Sequence, residues 1–406
     1  MPVGGLVELD LQAVSGVRLG TSMAGIRQTE RDDLTVFEIS AGSQVAATFT
    51  KNRFCAAPVT LAKKHLLETA PRYLLINSGN ANAGLGDLGL LAAEQCCSAL
   101  ADLTQSSATT VLPFSTGVIG EPLPVDKLIA GLGAAIDNLA EDHWENAAQA
   151  IMTTDTCPKG CSKTFQLEGE TVTITGIAKG SGMIRPDMAT MLSYIATDMP
   201  VSQPVLQQML AQAVALSFNS ITVDGDTSTN DAVVLIATAV LDCQAIQSTA
   251  DSRYVTMFEK LCEVCAYLAE AIVRDGEGAT KLITIQVEQA ASVADAKEVA
   301  YTVAHSPLVK TAFFAADPNW GRILSAVGRA NIGSMNVDDI AIYLDQVCIV
   351  EAGKRCVAYT EEQGQRVMLQ DEISVRICLA QGEHTASVLS CDLSYDYVKI
   401  NAEYRS

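Results

Sequence analysis

No stretch of this 406-residue sequence holds an unbroken apolar run long enough to cross a bilayer. Every run is interrupted within a few positions by Gly, Asp or Thr, and a span needs about 20 apolar residues. Charge is also scarce, at 18%, beside 49% hydrophobic residues, a balance that excludes a disordered chain. What charge there is leans to one sign: 27 lysines and arginines face 47 acids, for a net charge of −20. That excess argues against nucleic acid and anionic membrane surfaces as partners. It leaves a small-molecule site open, because local charge in a cleft can oppose the total. Histidine is rare, with four copies scattered at 65, 143, 305 and 384. The twelve cysteines, among them Cys96-Cys97, Cys157 with Cys161, and Cys262 with Cys265, therefore lack the paired ligands that a zinc site wants. Cys262 and Cys265 fall in a helical pattern and read as small buried residues. Neither a structural metal nor a disulfide framework is expected. Met1-Pro2-Val3-Gly4 lacks the basic segment and apolar stretch of a signal peptide, so a cytoplasmic location is expected.

A chain of this length supports a large core and two domains. Short strands are expected at Thr35–Ile39, Val45–Thr50, Tyr73–Ile76, Thr171–Ile177 and Leu282–Val287, from their β-branched and apolar residues. Ala232–Leu241 reads as a strand buried on both faces. Helical periodicity marks Leu90–Leu103, Leu123–Leu139, Trp144–Met152, Val205–Phe218 and Tyr254–Val273. From about 335 to 392 the pattern shifts to strands and turns, which sets the expected division: a larger domain over 1–280 and a smaller one over 281–406. The tail keeps Tyr395, Tyr397, Val398 and Ile400 almost to its end, where a frayed terminus would be polar, so it is expected to dock.

Several segments carry polar residues where packing alone does not ask for them. Lys179-Gly180-Ser181-Gly182 opens a turn that leads through Ala189 to Thr190 and the apolar run after it. A hydroxyl there faces a loop yet is held by the element behind it, although β-branched Thr190 could equally be a plain strand residue. Ser115-Thr116-Gly117 ends a strand, and backbone donors at such a tight turn suit an oxyanion. Asn77 to Gly84 gathers three asparagines and two glycines. Thr153-Thr154-Asp155-Thr156 could be no more than a capping cluster. Asp224, Asp226 and Asp231 suggest a calcium loop, but no glutamate follows at the twelfth position. Glu277 stands between two glycines past a helix end, which an ordinary solvated turn would also explain.

The run KGSGMIRPDMATMLSYIATD, residues 179–198, closely resembles the self-cleavage segment of the glutamate N-acetyltransferase/ornithine acetyltransferase family of arginine biosynthesis. Thr48–Phe54, Ser115–Gly120, Asp224–Asp231 and Asp317–Arg322 are similar to further segments of that family, so the resemblance runs from about residue 14 to the end. It implies an α/β fold, a layered sheet-and-helix sandwich of the self-processing N-terminal-nucleophile type with a smaller C-terminal α+β domain. It implies a cut between Ala189 and Thr190, giving an alpha chain 1–189 and a beta chain 190–406, expected as two of each in a heterotetramer.

By the same resemblance Thr190 is the nucleophile, and Thr116 and Gly117 form the oxyanion hole. Substrate is bound by Thr153, Lys179, Thr190, Glu277, Asn401 and Ser406. Cys157 stands where the family pattern has an aromatic residue, and Ser406 keeps the hydroxyl of the usual terminal threonine. The expected reaction is ping-pong acetyl transfer from N2-acetylornithine to glutamate, without metal or organic cofactor, and with acetyl-CoA as a second donor left open. A self-processing aminopeptidase or amidase of the same fold type is the enzymatic alternative; a binding or assembly protein with an uncut chain is the other.

Overall fold

A computed structural model describes residues 1–27, 30–185, 191–333 and 335–403. They group into two compact units, one of Val7–Asn219 with Asp226–Ile272, the other of Met1–Leu6, Ser220–Gly225 and Val273–Ser406.

The larger unit runs β1 (Val17–Ser22), β2 (Leu34–Ile39), β3 (Gln44–Phe49), α1 (Ala57–Glu68), β4 (Tyr73–Asn80), α2 (Asp87–Thr104), β5 (Val111–Val118), α3 (Val125–Asp137), α4 (Trp144–Ala150), β6 (Lys159–Leu167), β7 (Glu170–Lys179), β8 (Leu192–Thr197), α5 (Gln203–Leu216), β9 (Ala232–Ala237) and α6 (Ser252–Arg274). Two sheets form, in the orders β1-β2-β4-β5 and β3-β9-β8-β7-β6. They face each other across one apolar layer. Leu19, Phe37, Ile76 and Phe114 come from the first sheet, and Ile177, Tyr194, Val234 and Ile236 from the second. The ring of Tyr194 lies 5.3 Å from Phe37 and 5.4 Å from Phe114, and burial pushes its phenol well above the usual value. On the outer side of the first sheet Leu61, Leu100 and Leu132 from α1, α2 and α3 join a second core. On the outer side of the second, Gly176 packs under Val264 and Leu268 of α6. The layered sheet-and-helix fold expected from the sequence is the fold adopted.

β3 sits at a sheet edge, where open backbone groups invite pairing. Gln207 of α5 covers it: its Oε1 accepts from Ala47 N at 3.3 Å and its Nε2 donates to Ala47 O at 3.1 Å. The strand expected at Ala232–Leu241 stops at Ala237, because Ala239 adopts φ +55° and cannot continue an extended ladder. β6, missed by periodicity, pairs with β7 through Glu168 (φ +50°) and Gly169 (φ +96°), the backbone signs of a two-residue hairpin turn.

The smaller unit continues with β10 (Leu282–Ala290), α7 (Val293–Ala304), α8 (Pro307–Phe314), α9 (Trp320–Gly328), β11 (Ala341–Leu344), β12 (Val347–Glu351), β13 (Lys354–Arg355), α10 (Glu361–Met368), β14 (Glu372–Cys378), β15 (His384–Cys391) and α11 (Tyr395–Ala402). Its sheet has the order β13-β12-β11-β14-β10-β15, with Ile285, Val299, Phe313, Ile342 and Val375 in one core. α10 falls in the region read as strands and turns. Thr360 and Gln363 form a reciprocal capping box at its start. Trp320 lies partly buried against this unit's own core. Cys265 is fully buried in α6 as expected, whereas Cys262 is half-buried, with its thiol pushed up to about 11 by desolvation.

Candidate active site

Strand endings place the first group of residues. β5 runs out through Ser115-Thr116-Gly117-Val118 beside the end of β4. Gly117 has φ +131°, and a Cβ there would lie 2.3 Å from Gly79 C and 2.5 Å from Asn80 N. Backbone atoms cannot give way as a side-chain tip can, so only glycine fits this close approach. Thr116, 8% exposed, presents Oγ1 to Lys179 Nζ at 3.2 Å. Lys179 is the last residue of β7 and is itself buried. A hydroxyl, a glycine backbone and an ammonium group thus meet at one end of the two facing sheets.

Asp155 joins two more of the expected segments. Its Oδ2 accepts from Thr153 N at 3.0 Å, and its Oδ1 from Gly180 N at 2.7 Å and from Lys159 Nζ at 2.7 Å. The side chains of Asp155 and Lys159 are 0% and 1% exposed. Burial by itself would raise the Asp155 pKa. The Lys159 and Lys179 charges and these hydrogen bonds outweigh it and hold the carboxyl well below the usual range. Asp155 therefore stays ionised and ties the Thr153 segment to the turn after Lys179. Asp231 behaves in the opposite way. Desolvation pushes its pKa well above the usual value against the pull of Ser228 and Lys179. Its Oδ2 is buried with no hydrogen-bond partner among the described residues.

The smaller unit brings Glu277 and Asn401 together. Glu277 is 8% exposed, and its Oε2 accepts from Asn401 Nδ2 at 2.7 Å. α11 meets the Glu277 loop through polar contacts, whereas Tyr395 and Val398, two of the apolar residues from which docking was expected, are exposed. Ser394 caps the helix through Tyr397 N, and its hydroxyl donates to Gly278 O at 2.6 Å. Gly278 has φ +69°, and a Cβ there would come within 2.6 Å of Ser394 Oγ and Tyr397 N. The loop and the helix thus fit only with glycine at that place. Asp392 fixes the far side of the loop by accepting from Thr280 N at 2.8 Å and Lys281 N at 3.0 Å.

A family model described as the ArgJ family matches residues 18–406. The chain belongs to the ArgJ family. It is 53% identical over 396 residues to the arginine biosynthesis bifunctional protein ArgJ of Pseudomonas fluorescens, covering 98% of each chain. It is 54% identical over 402 residues to the protein of the same name from Methylococcus capsulatus, covering 99% of this chain and 98% of the other. Among solved structures, ArgJ of Bacillus halodurans is 36% identical, with a TM-score of 0.49, over 51% of this chain and 96% of that one.

For this ArgJ family member, Thr116, Gly117, Lys179 and the Thr153 backbone fall in the larger unit, and Glu277 and Asn401 in the smaller. Ala189, Thr190 and Ser406 lie outside the described residues. Sequence reasoning missed the bonds of Asp155, for which the one usable signal was a lysine four residues on.

Proposed function

We propose that this acyltransferase of arginine biosynthesis moves the acetyl group of N2-acetylornithine to glutamate through an acyl-enzyme on Thr190. The observation that carries the reading is the meeting of Thr116, Gly117 and Lys179 at one end of the facing sheets, in a chain matched by the ArgJ family over 18–406. A threonine hydroxyl is a weak nucleophile, but a cut between Ala189 and Thr190 frees an α-amine that can serve as its base. Thr190 attacks the acetyl carbonyl. The Thr116 hydroxyl and Gly117 backbone stabilise the oxyanion, ornithine leaves, and glutamate then takes the acetyl group. Fixed donors aimed at developing charge need no reorganisation during the reaction, which is why a rigid strand end suits the task. Lys179 pairs with a substrate carboxylate, and Thr153, Glu277, Asn401 and Ser406 complete the binding groups. The working form is two alpha and two beta chains, in the cytoplasm, and the larger catalytic domain spans 1–280.

Thr116→Ala is expected to lower kcat by roughly 10²–10³-fold, the effect of losing one oxyanion donor. Gly117→Ala is a poor probe of the same idea, since its Cβ would strike the Gly79 backbone. Full activity in Thr116→Ala would remove the oxyanion assignment and leave the acetyl transfer standing. The transfer itself is tested by kcat/KM for glutamate acetylation with each donor on one preparation. Acetylornithine is expected to be the better donor. A higher value with acetyl-CoA would overturn that preference, and release of free acetate without an acceptor would favour the amidase reading.

A further inference from the structure

Asn230 precedes β9, is 5% exposed, and makes bonds that its sequence neighbourhood does not explain. Its Nδ2 donates to Ala81 O at 2.6 Å and to Ser115 O at 2.9 Å. Its Oδ1 accepts from Thr229 Oγ1 at 2.6 Å, which fixes which end of the amide faces the carbonyls. Ser115 immediately precedes Thr116. Ala81 in turn donates from its N to Val118 O at 2.9 Å, immediately after Gly117. One amide thus reaches both flanks of the Thr116-Gly117 pair, directly on one side and through a single backbone bond on the other. Among the described residues β5 has a strand on one side only, so it lacks the two-sided ladder that fixes a central strand. Ser115 is tied again by Oγ donating to Asn77 Oδ1 at 2.6 Å, and Asn77 Nδ2 donates to Asn80 O at 2.8 Å.

We propose that Asn230 is a positioning residue for acyl transfer, an amide clamp that holds the Thr116-Gly117 segment at Ser115 and, through Ala81, at Val118. The inference rests on reading Thr116 and Gly117 as the oxyanion hole. Donors there act only if held within about half an ångström of the productive geometry, and a displacement of 1 Å can cost about 10²-fold in rate. Removing the amide leaves two buried carbonyls without a donor and frees the strand end to shift.

The test uses the full-length, self-processed enzyme and three variants. Asn230→Ala is expected to lower kcat by about 10²-fold with KM changed less than about threefold, and to speed amide exchange at Thr116 to Val118. Asn230→Asp keeps the shape but turns an oxygen toward each carbonyl. At pH 8 it is expected to be slower than Asn230→Ala. Its kcat should recover as pH falls, because the protonated carboxyl can donate to one carbonyl. Gln207→Ala removes a comparable amide brace, from Ala47 of the edge strand β3. It is expected to keep kcat while losing similar thermal stability. Unchanged exchange at Thr116 to Val118 in Asn230→Ala would overturn the proposal, and this arm also serves if a variant fails to mature. So would unchanged kcat while Thr116→Ala is slow, or a pH profile of Asn230→Asp parallel to that of Asn230→Ala. If Thr116→Ala is itself fully active, the oxyanion reading has failed and the clamp's catalytic role falls with it.

Discussion

Thr190→Ala is expected to purify as a single intact chain with no detectable acetyl transfer. One hydroxyl serves both reactions, so its loss stops the cut and the chemistry together. The unaltered protein is expected to run as two fragments of roughly half size, the second beginning Thr-Met-Leu-Ser. The fold supplies a reason why a cut here can be tolerated. Lys179 pairs with Leu192 in the antiparallel ladder of β7 and β8, and Leu192 pairs with Ala232 in the parallel ladder of β8 and β9. Met191 O accepts from Ala232 N at 3.0 Å, and every residue of β8 is buried. The chain after the cut is therefore locked in the interior of a five-stranded sheet by two neighbours, whether or not residues 189 and 190 remain joined. Exposed termini usually fray; this one would begin two residues before a buried central strand. N-terminal sequencing and the transfer assay read the two losses separately. An uncut chain with full activity would remove Thr190 from the mechanism.

How far the sequence could be read depended on whether a residue's partner was near it in the chain. Thr116, Gly117 and Lys179 were named through the family resemblance of their segments, since strand-end hydroxyls, glycines and a loop lysine by themselves also fit an ordinary turn. Glu277 stood out for the same reason, between two glycines, and its bond to Asn401 lay beyond reach because 124 residues separate them. Asp155 looked like a helix-end cap. Its work is to accept from Gly180 N, 25 residues away, and no local pattern encodes that contact. Asn230 sits in a loop that resembled a failed calcium site, while its partners lie 149 and 115 residues away. Local errors had local causes. α10 was missed although Thr360 and Gln363 spell its capping box. β9 was drawn too long because nothing in Ala-Thr-Ala-Val announces that Ala239 turns to positive φ.

Asp155→Asn is expected to destabilise the larger unit by about 3–5 kcal/mol, the usual cost of breaking one side of a buried ion pair. With domain stabilities of only about 5–15 kcal/mol, that is a large share. The Asp155 and Lys159 side chains are essentially inaccessible to water and 2.7 Å apart, so asparagine would leave the Lys159 ammonium without the Asp155 carboxylate in a dry site. The same change weakens the bonds to Thr153 N and Gly180 N, because an amide oxygen is a poorer acceptor than a carboxylate. The sign of the pH dependence follows from the lowered carboxyl pKa. A group whose folded pKa lies below its unfolded value, about 3.9 for aspartate, adds stability that is present above about pH 4. That stability is lost as pH falls toward the folded value. The unaltered protein should therefore lose stability in strong acid, and Asp155→Asn should lack that component of the loss. Asp231, whose carboxyl pKa burial pushes well above the usual value, serves as the contrast: a group with a raised folded pKa adds no charge-based stability at neutral pH, so Asp231→Asn should not lower the urea midpoint at pH 7 as Asp155→Asn does. Replacing both partners with apolar residues, as Asp155→Leu with Lys159→Met, should recover part of the loss, because it removes the buried ammonium together with its carboxylate. Urea midpoints at pH 7 and at about pH 2 for the four proteins decide it, since the loss develops below the unfolded carboxyl pKa. A shift below about 1 kcal/mol in Asp155→Asn would mean that water or another group solvates Lys159, and that the pair does not hold the Gly180 turn.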